Sequence, residues 1–446
     1  MNIVYYCSSK IIICSLKKCV IEEKMCKMEL CSKYIVIITE TQIIYGATMN
    51  NKYCQPDHTY QLPLFDREEI SLSKPTIVLS YGMGVESTAI LLRWVLEPTS
   101  RDFDLDKLVV LTAMTGDEFS DTGRLVNEYI LPILRNRSIR FVQVARAGAK
   151  TEDGIVVLDD SLAPKKVFLK GAYKLSDELF NAATIPQISG KRLCSLKFKG
   201  FVLDEWVKQT IGTSNYRHII GFNAGEIDRI ERDQCYGGSN RETEYPLLEW
   251  GWNREHCEQF IKRVFNIDWP KSCCAECPFT QGKPLVLLRF RRQTEAAVRA
   301  LMLEGLALAF NPKQRLYGKK SLLDCLQKDG NQAAIERYYK HLDRCDWALY
   351  RVRRIYFSKA CAWRKVEIIS QGKRKAITAT INQWPNNDRS FEIDERFIRC
   401  SLKPPEDIYP TSEEVIVAAP VGAKNKSRPH FEEKWLSINS QSKLAA

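Results

Sequence analysis

Short apolar runs alternate with helical periodicities from residue 75 to about 221. Pro75-Thr-Ile-Val-Leu-Ser80 is apolar and β-branched, and it predicts a buried strand. A loop with two glycines, Tyr81-Gly82-Met83-Gly84-Val85, leads into a predicted helix from Glu86 to Leu96. Lys107 to Met114 predicts a second strand, ending in Thr115-Gly116-Asp117-Glu118. A helical pattern over 121–136 and a strand from Ile139 to Val144 follow. Residues 146–190 carry no clear period; a helix at about 200–211 and a strand from His218 to Gly221 extend the unit. Strands alternating with helices predict an α/β domain over 71–285, with a parallel sheet covered on both faces.

The pattern changes after residue 285. Arg299 to Leu306 and Ala333 to Arg354 read as helices, so 286–400 is expected to be a mainly helical region. Prolines 404, 405, 410, 420 and 429 make 401–446 read as a flexible tail. Residues 1–70 read as a poorly specified extension, and Met49 as an alternative start.

Composition is that of a globular chain, 45% hydrophobic and 27% charged over 446 residues. No run of about 18 apolar residues predicts a membrane span, and no export signal is legible, so a cytoplasmic location is expected. Charge sharpens the second region: 21 Lys+Arg against 8 Asp+Glu fall within 286–375, a net of +13 beside +12 for the whole chain. Aromatics are interleaved with the basic residues. Arg289, Arg291, Arg292, Arg351, Arg353 and Arg354 are therefore candidate nucleic-acid contacts, with a solvated bundle as the alternative.

The glycine loop between strand and helix is a candidate phosphate cradle, because free backbone N–H groups and the helix dipole favour an anion. Ser80, Ser87 and Thr88 add hydroxyls. The loop is neither a Walker A sequence nor a full dinucleotide fingerprint.

Ser80-Tyr-Gly-Met-Gly-Val-Glu-Ser87-Thr88 resembles the pyrophosphate loop of the adenine nucleotide α-hydrolase superfamily, in its phosphoadenosine-phosphosulfate reductase-like branch. Four further segments are similar to that branch, in its order: Thr115 to Thr122, Arg192 to Lys197, Gly221 to Arg229, and Tyr245 to Trp250. The resemblance implies an enzyme that binds ATP or phosphoadenosine phosphosulfate. Its nucleotide would lie on Ser80, Tyr81, Gly82, Met83, Gly84, Glu86, Ser87, Thr88 and Gly116. Asp117, Glu118, Lys197, Glu226 and Arg229 would be catalytic, with magnesium as an accompanying ion. Sulfur transfer, or adenylation with nucleic acid as substrate, would be the reaction; a sulfur donor or reductant protein would be the partner. Met83 stands where that branch has glycine, and Asn223 where it has arginine. Its terminal Glu-Cys-Gly thiol motif does not occur here, which counts against thiol-dependent reduction. A nucleic-acid-binding accessory protein with a degenerate pocket is the competing expectation.

The 16 cysteines include one dense segment, Cys273-Cys274-Ala-Glu-Cys277. Cys274 and Cys277 have metal-ligand spacing; Cys194 would be the third ligand, and Cys273, Cys257, Cys235 or His256 the fourth, of a site for a [4Fe–4S] cluster or zinc. Buried structural thiols are the alternative.

Overall fold

The computed structural model describes residues 2–7, 10–15, 35–39, 42–46 and 76–444, apart from 188–191, 236, 237, 239, 281, 360 and 385–389. The reading of Met49 as a start lies outside the described residues. Near the N-terminus, β1 (Asn2–Cys7), β2 (Lys10–Ser15), β3 (Ile35–Thr39) and β4 (Gln42–Gly46) form an antiparallel sheet in the order β2-β1-β3-β4.

The α/β expectation for the next region holds in its coarse form. β5 (Ile77–Ser80), β6 (Leu108–Met114), β7 (Arg140–Arg146), β8 (Ile155–Ser161), β9 (Tyr216–Ile220) and β10 (Arg241–Glu244) form one sheet in the order β10-β9-β5-β6-β7-β8. All neighbours run parallel except the edge strand β8. Its central strands β5 and β6 are apolar on both faces but for Thr112 and the terminal Ser80, as burial on both sides requires. Ile77 and Leu79 pack with helix α1 (Val85–Leu96) and the helix Arg254–Phe265. Val78, Val109 and Val142 point the other way, onto Val202 and Trp206 of the helix Phe201–Thr210.

The second region corrects the expectation of a mainly helical segment. It does hold helices, among them Thr294–Phe310 and Gln332–Arg344. It also holds a five-stranded antiparallel sheet: β11 (Asp346–Tyr356), β12 (Ala362–Lys373), β13 (Phe391–Asp394), β14 (Phe397–Lys403) and β15 (Thr411–Pro420), in the order β12-β11-β15-β14-β13. The helix read from Ala333 to Arg354 ends at Arg344, and the chain enters β11 within two residues. No Gly or Pro marks that change, and Leu342, Cys345, Leu349 and Val352 prolong a helix-like spacing of apolar positions. Residues 411–420, read as part of a flexible tail, supply the central strand, and Phe431–Leu444 is a helix. The prolines bound the strand at 410 and 420 instead of dissolving it.

The helix Thr294–Phe310 is buried almost all round. It carries a carboxylate inside: Glu304 accepts the backbone N–H of Leu316 at 2.7 Å and of Leu322 at 2.8 Å. One apolar cluster runs from Phe119 and Phe198 in the first region through Leu301 to Trp347 and Ile416 in the second. Among the described residues no helix is long and apolar enough to cross a membrane.

Candidate functional site

The order of the parallel strands defines one crevice. From β5 the chain steps outward to β6 and β7; after β8 it returns to the other side of β5 as β9, then β10. β5 and β9 therefore flank a topological switch point, and open α/β sheets bind ligands outside the carboxyl ends of their strands at such a point. Ser80 ends β5 and pairs with Ile220 at the end of β9.

The predicted phosphate loop occupies that edge. Gly84 precedes α1, and no side chain caps the helix. Its first-turn N–H groups are therefore left for another acceptor. Gly82 is exposed, and a Cβ added there would meet nothing within 4 Å. A Cβ on Gly221, just past β9, would lie 3.1 Å from the Ser87 nitrogen. Glycine at 221 thus keeps open the approach to a helix N–H. Met83 is left-handed (φ 56°), which explains why glycine suits this position; its carbonyl accepts the indole N–H of Trp269 at 3.0 Å, and its side chain is buried. Tyr81 and Thr88 share a buried hydrogen bond of 3.2 Å, so both support the loop from beneath. Glu86 pairs with Arg254 at 3.0 Å.

The loop after β6 is held from two sides. Leu175 N–H donates to the Thr115 carbonyl, and Ala275 N–H to the Asp117 carbonyl. Gly116 has φ +92°, and a Cβ there would strike Lys174. Glu118 is buried, accepting from Cys273 N–H at 2.8 Å, Thr122 Oγ1 at 2.9 Å and Ser272 Oγ at 3.0 Å. Burial pushes its carboxyl up, against the Lys199 charge. Asp117 is buried too, accepting Ser176 N–H at 2.6 Å. Arg299 Nε lies 2.8 Å from Glu276 Oε1 and 3.4 Å from Asp117 Oδ1, one cation between two carboxylates. Burial, then the Asp117 charge, pushes Glu276 up to about 7. Both acids at the end of β6 therefore pin the 272–276 segment to the sheet.

Lys197 pairs with Glu178 at 2.6 Å. Glu226 binds Arg229 and also accepts from Asn223 Nδ2 at 3.2 Å, while Arg229 lies 4.2 Å from the Phe222 ring centre. Asn223, where arginine was expected, is buried and accepts Gly225 N–H at 2.9 Å, closing the turn after β9.

The cysteines do not assemble as expected. Cys274 Sγ lies 3.1 Å from Thr115 Oγ1, and Cys273 Sγ faces Arg289. Cys194 and Cys277 are half-buried beside the same apolar cluster. Among the described residues no group of three or more His, Cys, Asp or Glu is arranged to hold a metal ion. The thiols as placed do not fit a cluster or zinc. Burial pushes Cys273 up to about 12, with the Glu118 charge adding to it, and raises Cys274 and Cys277 as well.

The basic candidates divide. Arg289, Arg353 and Arg354 are buried. Arg289 pairs with Asp121, Arg353 with Glu432 at 2.7 Å, and Arg354 with Glu413 at 2.6 Å. Arg291 and Arg351 are exposed and pair with Asp329 and Glu414; Arg292 is exposed.

Sequence reading missed His218, Arg241, Trp269, Ser272 and Glu276. Each reaches a residue far away in sequence, so no spacing reports it. Ser272 and Glu276 flank or lie within the cysteine segment and His218 begins a predicted strand, but none was read for the contact it makes. The chain matches no family model, no curated protein and no solved structure.

Proposed function

We propose that the chain is an enzyme that binds an adenine nucleotide with its phosphates on the Ser80–Thr88 loop. The supporting observation is that the uncapped start of α1 lies at the β5/β9 switch point, with Gly221 leaving the Ser87 N–H approachable. On the phosphoadenosine-phosphosulfate reductase-like resemblance, two reactions compete: reduction of a sulfonucleotide, and adenylation followed by sulfur transfer. In adenylation a substrate oxygen attacks the α-phosphorus of ATP, the bond to the β-phosphate oxygen breaks, and pyrophosphate leaves. First-turn N–H groups of α1 and the hydroxyls of Ser80 and Ser87 would hold the negative charge. Exposed Arg292, Lys319, Lys320 and Lys375 give the second region a basic surface suited to a nucleic-acid substrate.

A second reading, an accessory nucleic-acid-binding protein with a degenerate pocket, is favoured by the internal hydrogen bonds of Asp117 and Glu118. Calorimetric titration with ATP and with phosphoadenosine phosphosulfate separates the two. Saturable binding of ATP, weakened about tenfold by Gly221→Ala, is the expected result; a folded chain that binds neither sinks the enzyme reading.

A further inference from the structure

His218 was assigned no role by its sequence context, yet it sits at the crevice. It lies on β9 directly beside β5, and its ring is buried. Arg241 Nε–H, from β10, donates to His218 Nδ1 at 2.7 Å. The acceptor nitrogen cannot also carry a proton, so the neutral ring holds its proton on Nε2. That Nε2 is 2.7 Å from Ser80 Oγ, and therefore donates to it. Asp233 Oδ2 holds Arg241 at 3.1 Å and accepts the Tyr245 hydroxyl at 2.9 Å. The chain of contacts from Asp233 through Arg241 and His218 to Ser80 crosses three adjacent strands.

The direction of these hydrogen bonds has two consequences. A ring already protonated at Nε2 cannot take the Ser80 proton, so Ser80 and His218 are not a nucleophile and its base. A serine oxygen that accepts from His218 must turn its own O–H elsewhere. We propose that His218 is a positioning residue: locked by Arg241, it orients the Ser80 hydroxyl as a donor toward a phosphate oxygen bound at the start of α1. Resting on the nucleotide-binding reading, this adds a polarity to the loop. With one lone pair taken by His218, Ser80 gives its hydrogen bond to the ligand, which favours an anionic phosphate oxygen as the acceptor.

Calorimetric titration of the full chain with ATP tests it, using Ser80→Ala, His218→Phe, the double variant and His218→Gln. Glutamine carries an N–H and a C=O in place of the two ring nitrogens. We expect each of the first two to weaken ATP about tenfold, and the double variant to lose no more than about twofold beyond either. His218→Gln is expected within about threefold of the unaltered chain. Nitrogen-15 spectra of the unaltered protein at pH 7 should show His218 neutral and protonated on Nε2, a readout that needs no variant to fold. Proton on Nδ1, an imidazolium, or unchanged ATP affinity in folded His218→Phe overturns the inference while leaving nucleotide binding intact. An unaltered chain that binds no ATP overturns the nucleotide reading and this inference with it, even if the tautomer is as stated.

Discussion

The two sheets handle charge in opposite ways. In the parallel sheet, polar groups gather at the carboxyl edge, and the helix that opens there is left uncapped by its own side chains. In the antiparallel region, polar groups are closed off inside. Arg353 and Arg354 are consecutive buried residues of β11, each matched by a glutamate from the last forty or so residues of the chain, Glu432 and Glu413. The helices Leu322–Asp329 and Gln332–Arg344 are capped by Ser321 and Asn331. Pro284–Arg292, Thr294–Phe310 and Arg374–Asn382 also start without a side-chain cap, so an uncapped start alone marks no ligand site; that of α1 is set apart by its place at the β5/β9 switch point.

The same comparison alters the meaning of the +13 segment. Its surplus is local in sequence and smaller in space, because Asp121, Glu276, Glu413, Glu414 and Glu432 pair with it from outside. Charge counts along a chain therefore overstate the basic surface that a nucleic acid would meet.

Removing residues 406–446 should have the largest effect, since it takes the central strand from the second sheet and both buried arginine partners. The cooperative thermal transition followed by circular dichroism is expected to be lost. Survival of that transition would mean that the antiparallel region does not depend on β15. Glu413→Ala is expected to cost about 3–5 kcal/mol in urea unfolding, because Arg354 would stay buried without its carboxylate. A loss below about 1 kcal/mol would show that water or the Phe310 carbonyl compensates.

A pH experiment sharpens the contrast at the junction of the regions. Glu276 is raised to about 7 in the folded chain, above its ordinary value near 4.5. The folded state thus binds a proton that the unfolded state releases. Its contribution to stability is full below pH 4.5 and falls as pH rises through 7. Glu276→Gln should flatten that slope; equal urea midpoints for both chains at pH 5 and at pH 7.5 would refute it. Smallest is Ser321→Ala, expected to cost about 1 kcal/mol by removing a hydrogen bond to Asp324 N–H. It should leave ATP binding unchanged in the same titration.

The first sheet was legible because buried parallel strands are continuous apolar runs and their helices keep a clean period. Its edge strands β8 and β10 were not, since Ile155–Ser161 and Arg241–Glu244 carry polar residues that solvent tolerates. β11 was hidden by its arginines, which look like a helix surface until Glu413 and Glu432 are seen opposite them. The loop from Ser80 to Thr88 was found by its glycines. The ring of His218 was not, because its partners Ser80 and Arg241 lie 138 and 23 residues away. The cysteine spacing suggested a shared ion, whereas the fold turns Cys273 toward Arg289 and Cys274 toward Thr115.

The place of β15 in the sheet also sets a timetable. β11 leaves the ribosome first, and its central partner follows after the stretch from Tyr356 to Thr411 has been added. At about 5–20 residues per second that wait lasts several seconds. Throughout it, β11 offers an unpaired edge, and Arg353 and Arg354 have yet to meet Glu432 and Glu413. The nascent chain thus passes through a sticky, positively charged intermediate, and slowing translation between residues 357 and 411 should lengthen its exposure to chaperones.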